Sequence, residues 1–306
     1  MDIVVTGKSG QLGYELARRM RAADRVVMLD RDALDLAEPH AIEKTLRGLR
    51  PAVVVNAAAY TAVDRAETER DAAFRVNADA PAAIARVCRE IGAALIHFST
   101  DYVFDGAKPG RYVESDEPHP LNVYGASKLA GERAVMESGA AALVLRTTWV
   151  YGDHGGNFLK TMLRLSMERE RLRVVCDQRG APTWAGRLAE AVRHIVDLAD
   201  GQPDPLAWFE SKGGLYHACA AGQTNWCDYA RAVVETAATI PGVRERLRVS
   251  ADRIEPIPTA EYPTPAARPL NSLLDTSRFE REFGFRFPDW REDVEACVRR
   301  VAPAMA

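Results

Sequence analysis

The chain has 306 residues, of which 47% are hydrophobic and 27% charged. That suffices for one large core, or for a main domain with a smaller one attached. The net charge of −3 gives no general attraction to nucleic acid or anionic lipid, and no run of about 18 apolar residues marks a membrane span.

Residues 3–6 form a short apolar run and predict the first strand. No basic region followed by a long apolar stretch precedes it, so no secretory signal is expected. The segment Gly7-Lys8-Ser9-Gly10-Gln11-Leu12-Gly13 comes next and opens a helical pattern over 11–22. Glycines at GxxGxxG spacing permit a tight turn and let the backbone approach a pyrophosphate. The helix N-terminus adds free N–H groups and a positive dipole end. A second strand over 25–30 ends on Asp30, twenty residues after Gly10, where an acidic residue can bind the adenosine ribose hydroxyls. Asp30 is equally a common strand-end turn residue. Arg31 beside it suits a 2′-phosphate, so NADH and NADPH both stay open as cofactors.

A helix is predicted over 40–49 and a strand over 53–56. The small residues Ala57, Ala58 and Ala59 would let the chain lie close to a cofactor. A helix over 72–91, a strand over 94–99, a helix over 124–137 and a strand over 142–148 complete the alternation. Short apolar runs alternating with helices predict an α/β fold, a Rossmann-type doubly wound parallel sheet with right-handed crossovers. The expected division is an NAD(P)-binding Rossmann domain over 1–150 and a smaller C-terminal α/β substrate lobe over 151–306, some segments of which return to the first domain. Helices are predicted in the lobe at 157–168, 183–198, 224–238 and 290–301, and the proline-rich stretch 256–269 reads as a shaped loop. Five cysteines, Cys88, Cys176, Cys219, Cys227 and Cys297, include no CxxC pair, so reduced thiols in a cytoplasmic protein are expected.

Tyr124-Gly125-Ala126-Ser127-Lys128 is preceded by Ser99-Thr100-Asp101 at the end of the fourth strand. Tyr124 and Lys128 are spaced i, i+4 and share one helix face. A free tyrosine has a pKa of about 10, and a neighbouring ammonium favours the phenolate and lowers it. Tyr124 could then protonate the alkoxide formed when hydride reaches a carbonyl. Thr100 could hydrogen-bond the same oxygen, and Lys128 could hold the nicotinamide ribose. YxxxK alone occurs often by chance; its combination with the glycine turn and the threonine is what points to a hydride-transferring enzyme.

With these motifs the chain resembles the extended short-chain dehydrogenase/reductase family and, within it, the dTDP-4-dehydrorhamnose reductase family. The likeness runs nearly end to end. It rests on Val55 to Asp64 (VNAAAYTAVD), Ser99 to Phe104 (STDYVF), Pro120 to Gly125 (PLNVYG), Arg146 to Tyr151 (RTTWVY), Asp177 to Thr183 (DQRGAPT) and Tyr262 to Ser272 (YPTPAARPLNS). The resemblance implies NAD(P)H-dependent reduction of the 4-keto group of dTDP-4-dehydro-L-rhamnose. It implies Thr100, Tyr124 and Lys128 as the catalytic triad. It implies Gly10, Gln11, Leu12, Asp30, Asp35, Leu36, Ala59, Tyr60 and Thr61 as cofactor contacts. Asp101, Tyr102 and Trp149 become sugar-side contacts, and Arg268 and Asn271 are placed to close the pocket. Trp149 as strand-end core and Arg268 as a solvated loop charge remain open, while His97 is expected as a core histidine and 67–71 as a solvated charged face.

Related functions stay open as well. A sugar 4,6-dehydratase typically has Thr-Asp-Glu where this chain has Tyr102 in third place, so elimination loses its expected carboxylate. A 4-epimerase or another NDP-4-keto-sugar reductase would share the Tyr-Lys pair. The regulatory subunit of methionine adenosyltransferase resembles these reductases too, but would not need that pair. Some family members dimerise around a magnesium ion held by glutamates. The matching positions here are Glu15, Gly186 and Arg300, a poor set for a cation that wants oxygen ligands. Glu190, Glu292 and Asp293 lie nearby in sequence. The expectation is therefore no metal, and a monomer or metal-independent homodimer that binds a nucleotide sugar, with no nucleic-acid or membrane partner.

Overall fold

Six parallel strands make the central sheet of the computed structural model, which describes residues 1–22 and 24–305. They are β1 (Asp2–Thr6), β2 (Arg25–Leu29), β3 (Val53–Asn56), β4 (Ala94–Thr100), β5 (Ala142–Thr147) and a sixth, Gly214–His217. The spatial order is β2, β1, β3, β4, β5 and then the sixth strand. Strands β3, β4 and β5 are buried along their whole length, which is why they read as unbroken apolar runs rather than alternating ones. Helix α1 (Gln11–Arg19) and the helix Ala185–Asp200 cover one face through Leu16, Leu188, Val192 and Ile195. Helix α2 (Pro39–Leu49) and the helix Ala80–Ile91 cover the other through Ile42, Leu46, Ile84 and Val87.

Chain order reverses between β1 and β3, and the crevice at such a switch point is where ligands of doubly wound sheets bind. Just below it, a polar rung crosses three strands. Thr6 Oγ1 donates to Asn56 Oδ1 at 2.7 Å, and Asn56 Nδ2 meets His97 Nδ1 at 3.0 Å. His97 is fully buried there, and its burial holds the imidazole well below its ordinary pKa, as befits a core histidine.

The second half of the chain contributes heavily to this body. Gly214–His217 pairs with β5, and Phe279, Phe283 and Phe287 extend the core beside Tyr216 of that strand. A separate core joins the helices Phe158–Glu168, Trp226–Ala237 and Trp290–Met305 around Tyr229, Trp290 and Val294. Three local expectations are corrected. Helix α1 stops at Arg19. The helix expected over 72–91 starts at Arg70 and runs to Ile91, but a π-turn, Arg75–Asp79, interrupts its α-helical hydrogen bonding between Arg70–Phe74 and Ala80–Ile91. The proline-rich stretch begins as a strand, Ile254–Ile257, paired in parallel with Leu172–Val175 in a two-stranded ribbon, where an edge position tolerates Pro256.

Candidate active site

The turn after β1 is glycine by necessity at two places. Gly7 has φ +78°, and a Cβ there would lie 2.8 Å from the Ala58 amide nitrogen. A Cβ on Gly13 would lie 2.0 Å from the Gly7 carbonyl oxygen, so α1 meets β1 only without a side chain. No side chain caps α1, which leaves its first N–H groups free for an anion. This backbone cradle fits the pyrophosphate of a dinucleotide.

From the cradle a cleft of about 1060 Å³ runs over the strand ends. Gly7, Gly10, Gln11 and Leu12 line its floor, with Asp30, Arg31, Asp35 and Leu36 at one end and Ala59, Tyr60 and Thr61 in the wall. Thr100, Asp101, Tyr102, Tyr124 and Lys128 line the centre, and Trp149 the far end. Gly13 is not part of the lining and acts through packing alone. Asp30 Oδ1 accepts the Ala33 amide at 3.0 Å, and exposed Arg31 lies 3.6 Å from Asp35. The carboxylate and the guanidinium thus both border the ribose end.

The helix Val123–Glu137 that carries Tyr124 is pinned at its start. Asn122 Oδ1 caps the Gly125 amide at 2.8 Å, and Glu67 Oε1 accepts the Val123 amide at 2.9 Å. Gly125 presses on the Asp101–Val103 turn so closely that a Cβ would lie 2.1 Å from the Tyr102 carbonyl oxygen. Asn77, in the π-turn, bonds the Tyr60 backbone through both ends of its amide and also donates to Ser127 Oγ at 3.0 Å. It joins the cofactor-side wall to the catalytic helix. Glu69, which accepts the Tyr60 hydroxyl at 2.6 Å, was not singled out in the sequence any more than Glu67 and Asn77: the two glutamates sit in a charge run expected to be merely solvated, and Asn77 in a helix expected to be continuous.

Lys128 Nζ donates to the Phe98 carbonyl at 2.6 Å. Burial pulls the Lys128 ammonium down to about 8, opposed by Glu132 one turn further on. Burial also pushes the Tyr124 phenol up to about 12, opposed by a hydrogen bond with Thr100. The net shift is thus upward, not the lowering expected from the lysine: burial dominates at Tyr124, and the ammonium is turned to the Phe98 carbonyl. A neutral tyrosine is the form that can give up a proton, which suits reduction rather than oxidation. Tyr102 stands edge-on to Tyr124, with ring centroids 5.6 Å apart.

Trp149 holds φ +47°, a left-handed conformation costly for an aromatic residue. Its indole lies flat on Trp226, centroids 3.6 Å apart, and above Gly180, where a Cβ would come within 2.5 Å of the ring. Trp226 lines the same cleft and had no signal in the sequence beyond helical periodicity.

The family model described as RmlD substrate binding domain matches residues 1–302. The chain belongs to the RmlD family. It is 46% identical to the dTDP-4-dehydrorhamnose reductase of Burkholderia thailandensis, over 98% of each chain. It is 44% identical to that of Escherichia coli K12, again over 98% of each. It is similar to the crystal structure of dTDP-4-dehydrorhamnose reductase from Bacillus anthracis in complex with NADP, with TM-score 0.86 and 32% identity over 98% of this chain and 99% of that one.

Against the roles implied by the RmlD family, two residues sit elsewhere. Neither Arg268 nor Asn271 lines the cleft. Asn271 is buried, its amide donating to the Lys108 and Gly110 carbonyls at 2.7 and 2.8 Å, while its oxygen accepts the Leu273 amide. Its polar atoms are committed to the chain. Arg268 pairs with Asp64 at 2.9 Å and bonds the Ala266 carbonyl, tying the proline-rich loop to the Val63–Ala66 helix. At the positions matching the family's magnesium glutamates, Glu15 is paired with Arg19, and Arg300 pairs with Asp153 at 2.9 Å while covering the Trp184 ring. A Cβ on Gly186 would meet that same ring at 2.4 Å. Arg187 takes Glu190 and Asp293. Among the described residues no group of three or more His, Cys, Asp or Glu converges as a metal site.

Proposed function

We propose that this protein reduces the 4-keto group of dTDP-4-dehydro-L-rhamnose to give dTDP-L-rhamnose, at the expense of NADH or NADPH. The names of relatives matching over nearly the whole chain support the substrate. One observation carries the chemistry: neutral Tyr124, Thr100 and buried Lys128 meet midway between the glycine cradle and the Trp149 wall. The bound nicotinamide supplies the hydride. Tyr124 gives its proton to the developing alkoxide, a step that typically contributes about 100- to 10,000-fold. Thr100 directs a hydrogen bond at the same oxygen, and Lys128 holds the ribose beside Tyr124. Gly7, Gly10, Gln11 and Leu12 hold the diphosphate of the dinucleotide. Asp30, Arg31, Asp35 and Leu36 surround its adenosine end, and Ala59, Tyr60 and Thr61 form its wall. Asp101, Tyr102 and Trp149 contact the sugar, while Arg268 and Asn271 act at one remove by fixing the loops at the mouth.

We assign dinucleotide binding to the Rossmann body with its returning segments, which also supplies Asp101, Tyr102 and Trp149 to the sugar, and the rest of the nucleotide-sugar pocket mainly to the lobe after residue 150. The protein works in the cytoplasm as a monomer or metal-independent homodimer. No helix among the described residues is long and apolar enough to cross a membrane. The test is oxidation of NADH and NADPH with dTDP-4-keto-6-deoxy-L-mannose, the product being identified by mass and NMR. Stoichiometric dTDP-L-rhamnose is expected. Absence of turnover, with co-purification of a methionine adenosyltransferase, would replace this reading by a binding role.

A further inference from the structure

Thr100 faces two demands with one proton. A threonine hydroxyl has one donor and two lone pairs. The Tyr102 amide donates into one lone pair at 3.2 Å, and the proton goes to Asp101 Oδ1 at 3.1 Å. So arranged, Thr100 has nothing left to donate, either to the Tyr124 oxygen beside it or to a keto oxygen. Asp101 is 2% exposed, and its Oδ2 makes no geometrically sound hydrogen bond. A proton on the carboxyl would reverse the pair.

We propose that Asp101 is a positioning residue that acts through Thr100: as a carboxylic acid it donates to the second lone pair of Thr100 Oγ1 and turns the threonine's proton onto the substrate's keto oxygen. The role rests on the reductase reading above. As a carboxylate, Asp101 keeps that proton for itself and the carbonyl is polarised by Tyr124 alone.

The surroundings favour the acid form. Thr148 after β5 and Ser272 of the C-terminal loop offer hydroxyls to the carboxyl, but no ion pair reaches it among the described residues. Tyr102, Tyr124 and Cys219 also face it, and burial raises all three, so each is neutral across the neutral range. Burial pushes the Asp101 carboxyl up to about 6, against the pull of the neighbouring Ser272, Thr100 and Thr148 hydroxyls. Below that value Thr100 delivers its proton; above it the proton is withheld. Lys128, pulled down to about 8, keeps most of its charge up to pH 7.5, while His97 and His217 are neutral because burial lowers both far below. A transition centred near 6 within the interval from pH 5 to 7.5 therefore reports on Asp101.

The experiment measures kcat with saturating cofactor and dTDP-4-keto-6-deoxy-L-mannose over that interval, together with melting temperature. Wild-type kcat should fall about fivefold or more, with a midpoint near 6. In Asp101→Asn the amide is a permanent donor to Thr100, so the profile should be flat and its rate at pH 7.5 about tenfold above that of Asp101→Ala. Thr100→Val should be slow and flat as well. Asp101→Asn should also melt higher than wild type at pH 7.5, since a carboxyl raised on folding costs stability once ionised, and the gap should close toward pH 4. A flat wild-type profile, or Asp101→Asn no faster than Asp101→Ala at matched folding, overturns the role. If Asp101→Asn fails to fold, the contrast between the wild-type and Thr100→Val profiles decides it. No wild-type turnover at any pH overturns the reductase reading itself.

Discussion

Tyr124 contributes one oxygen to the site, and its removal leaves the ring packed against Tyr102 and the helix anchored by Asn122 and Glu67. Tyr124→Phe is therefore expected to lose about 100- to 10,000-fold in kcat. NADPH affinity should be nearly unchanged, which single-turnover kinetics and cofactor titration would check. Asp30 works at the other end of the cleft. Its carboxylate favours free ribose hydroxyls and repels a 2′-phosphate, while exposed Arg31 stays available to receive one. Asp30→Ala should raise the ratio of kcat/KM for NADPH to that for NADH, and an unchanged ratio would show that Asp30 does not sense the ribose. Both residues were legible in the sequence because spacing fixes their placement: i, i+4 for Tyr124 and Lys128, the end of the second strand for Asp30. Asn271 was not legible in that way. A polar loop residue has no periodicity to say whether its amide meets a ligand or, as here, the Lys108 and Gly110 carbonyls.

At the scale of elements, contacts between backbones decide where glycine is required. Gly13 lets α1 lie on the turn after β1, and a methyl group there would overlap the Gly7 carbonyl. Gly13→Ala should therefore shift α1, weaken cofactor binding and destabilise the protein by about 1–3 kcal/mol, as overpacking commonly does. Calorimetry of the protein with and without NADPH would separate the two losses. The same kind of contact explains what the sequence concealed. Gly131 on the catalytic helix faces the π-turn, where a Cβ would sit 2.0 Å from the Asn77 carbonyl. Nothing in the apolar pattern of residues 72–91 marks the extra residue of a π-turn, so one continuous helix was the natural expectation. The sixth strand was equally hidden. Gly214-Leu215-Tyr216-His217 is four residues long and opens on a glycine at φ +153°, and only its pairing with β5 distinguishes it from a loop. Strands β1, β3, β4 and β5 announced themselves because burial on both faces demands uninterrupted apolar sequence, while the half-buried edge strand β2 still carries the apolar run Val26-Val27-Met28-Leu29.

Across the whole molecule, ion pairs occupy the places where a shared cation would have to sit. Arg19 holds Glu15, Arg187 holds Glu190 and Asp293, and Arg300 holds Asp153 beside Trp184. A divalent ion wants several oxygen ligands free of such partners, and the hydride and proton steps proposed above run through Tyr124, Thr100 and Lys128 without a metal. Turnover and sedimentation should therefore be unchanged by EDTA and by later addition of magnesium. Loss of activity or of a dimer on chelation, restored by magnesium, would contradict this.

The stacked Trp149 and Trp226 have a consequence outside catalysis. They are two of the five tryptophans in the chain, their rings 3.6 Å apart and 12° from parallel at the far end of the cleft. Indoles held face to face couple their electronic transitions, quench one another and give paired bands of opposite sign in circular dichroism. A ligand that slides against Trp149 must disturb that coupling. The protein thus carries its own optical gauge of cleft occupancy: emission and dichroism should change as the nucleotide sugar fills the pocket, with no label and no turnover, and Trp226→Phe should silence the couplet.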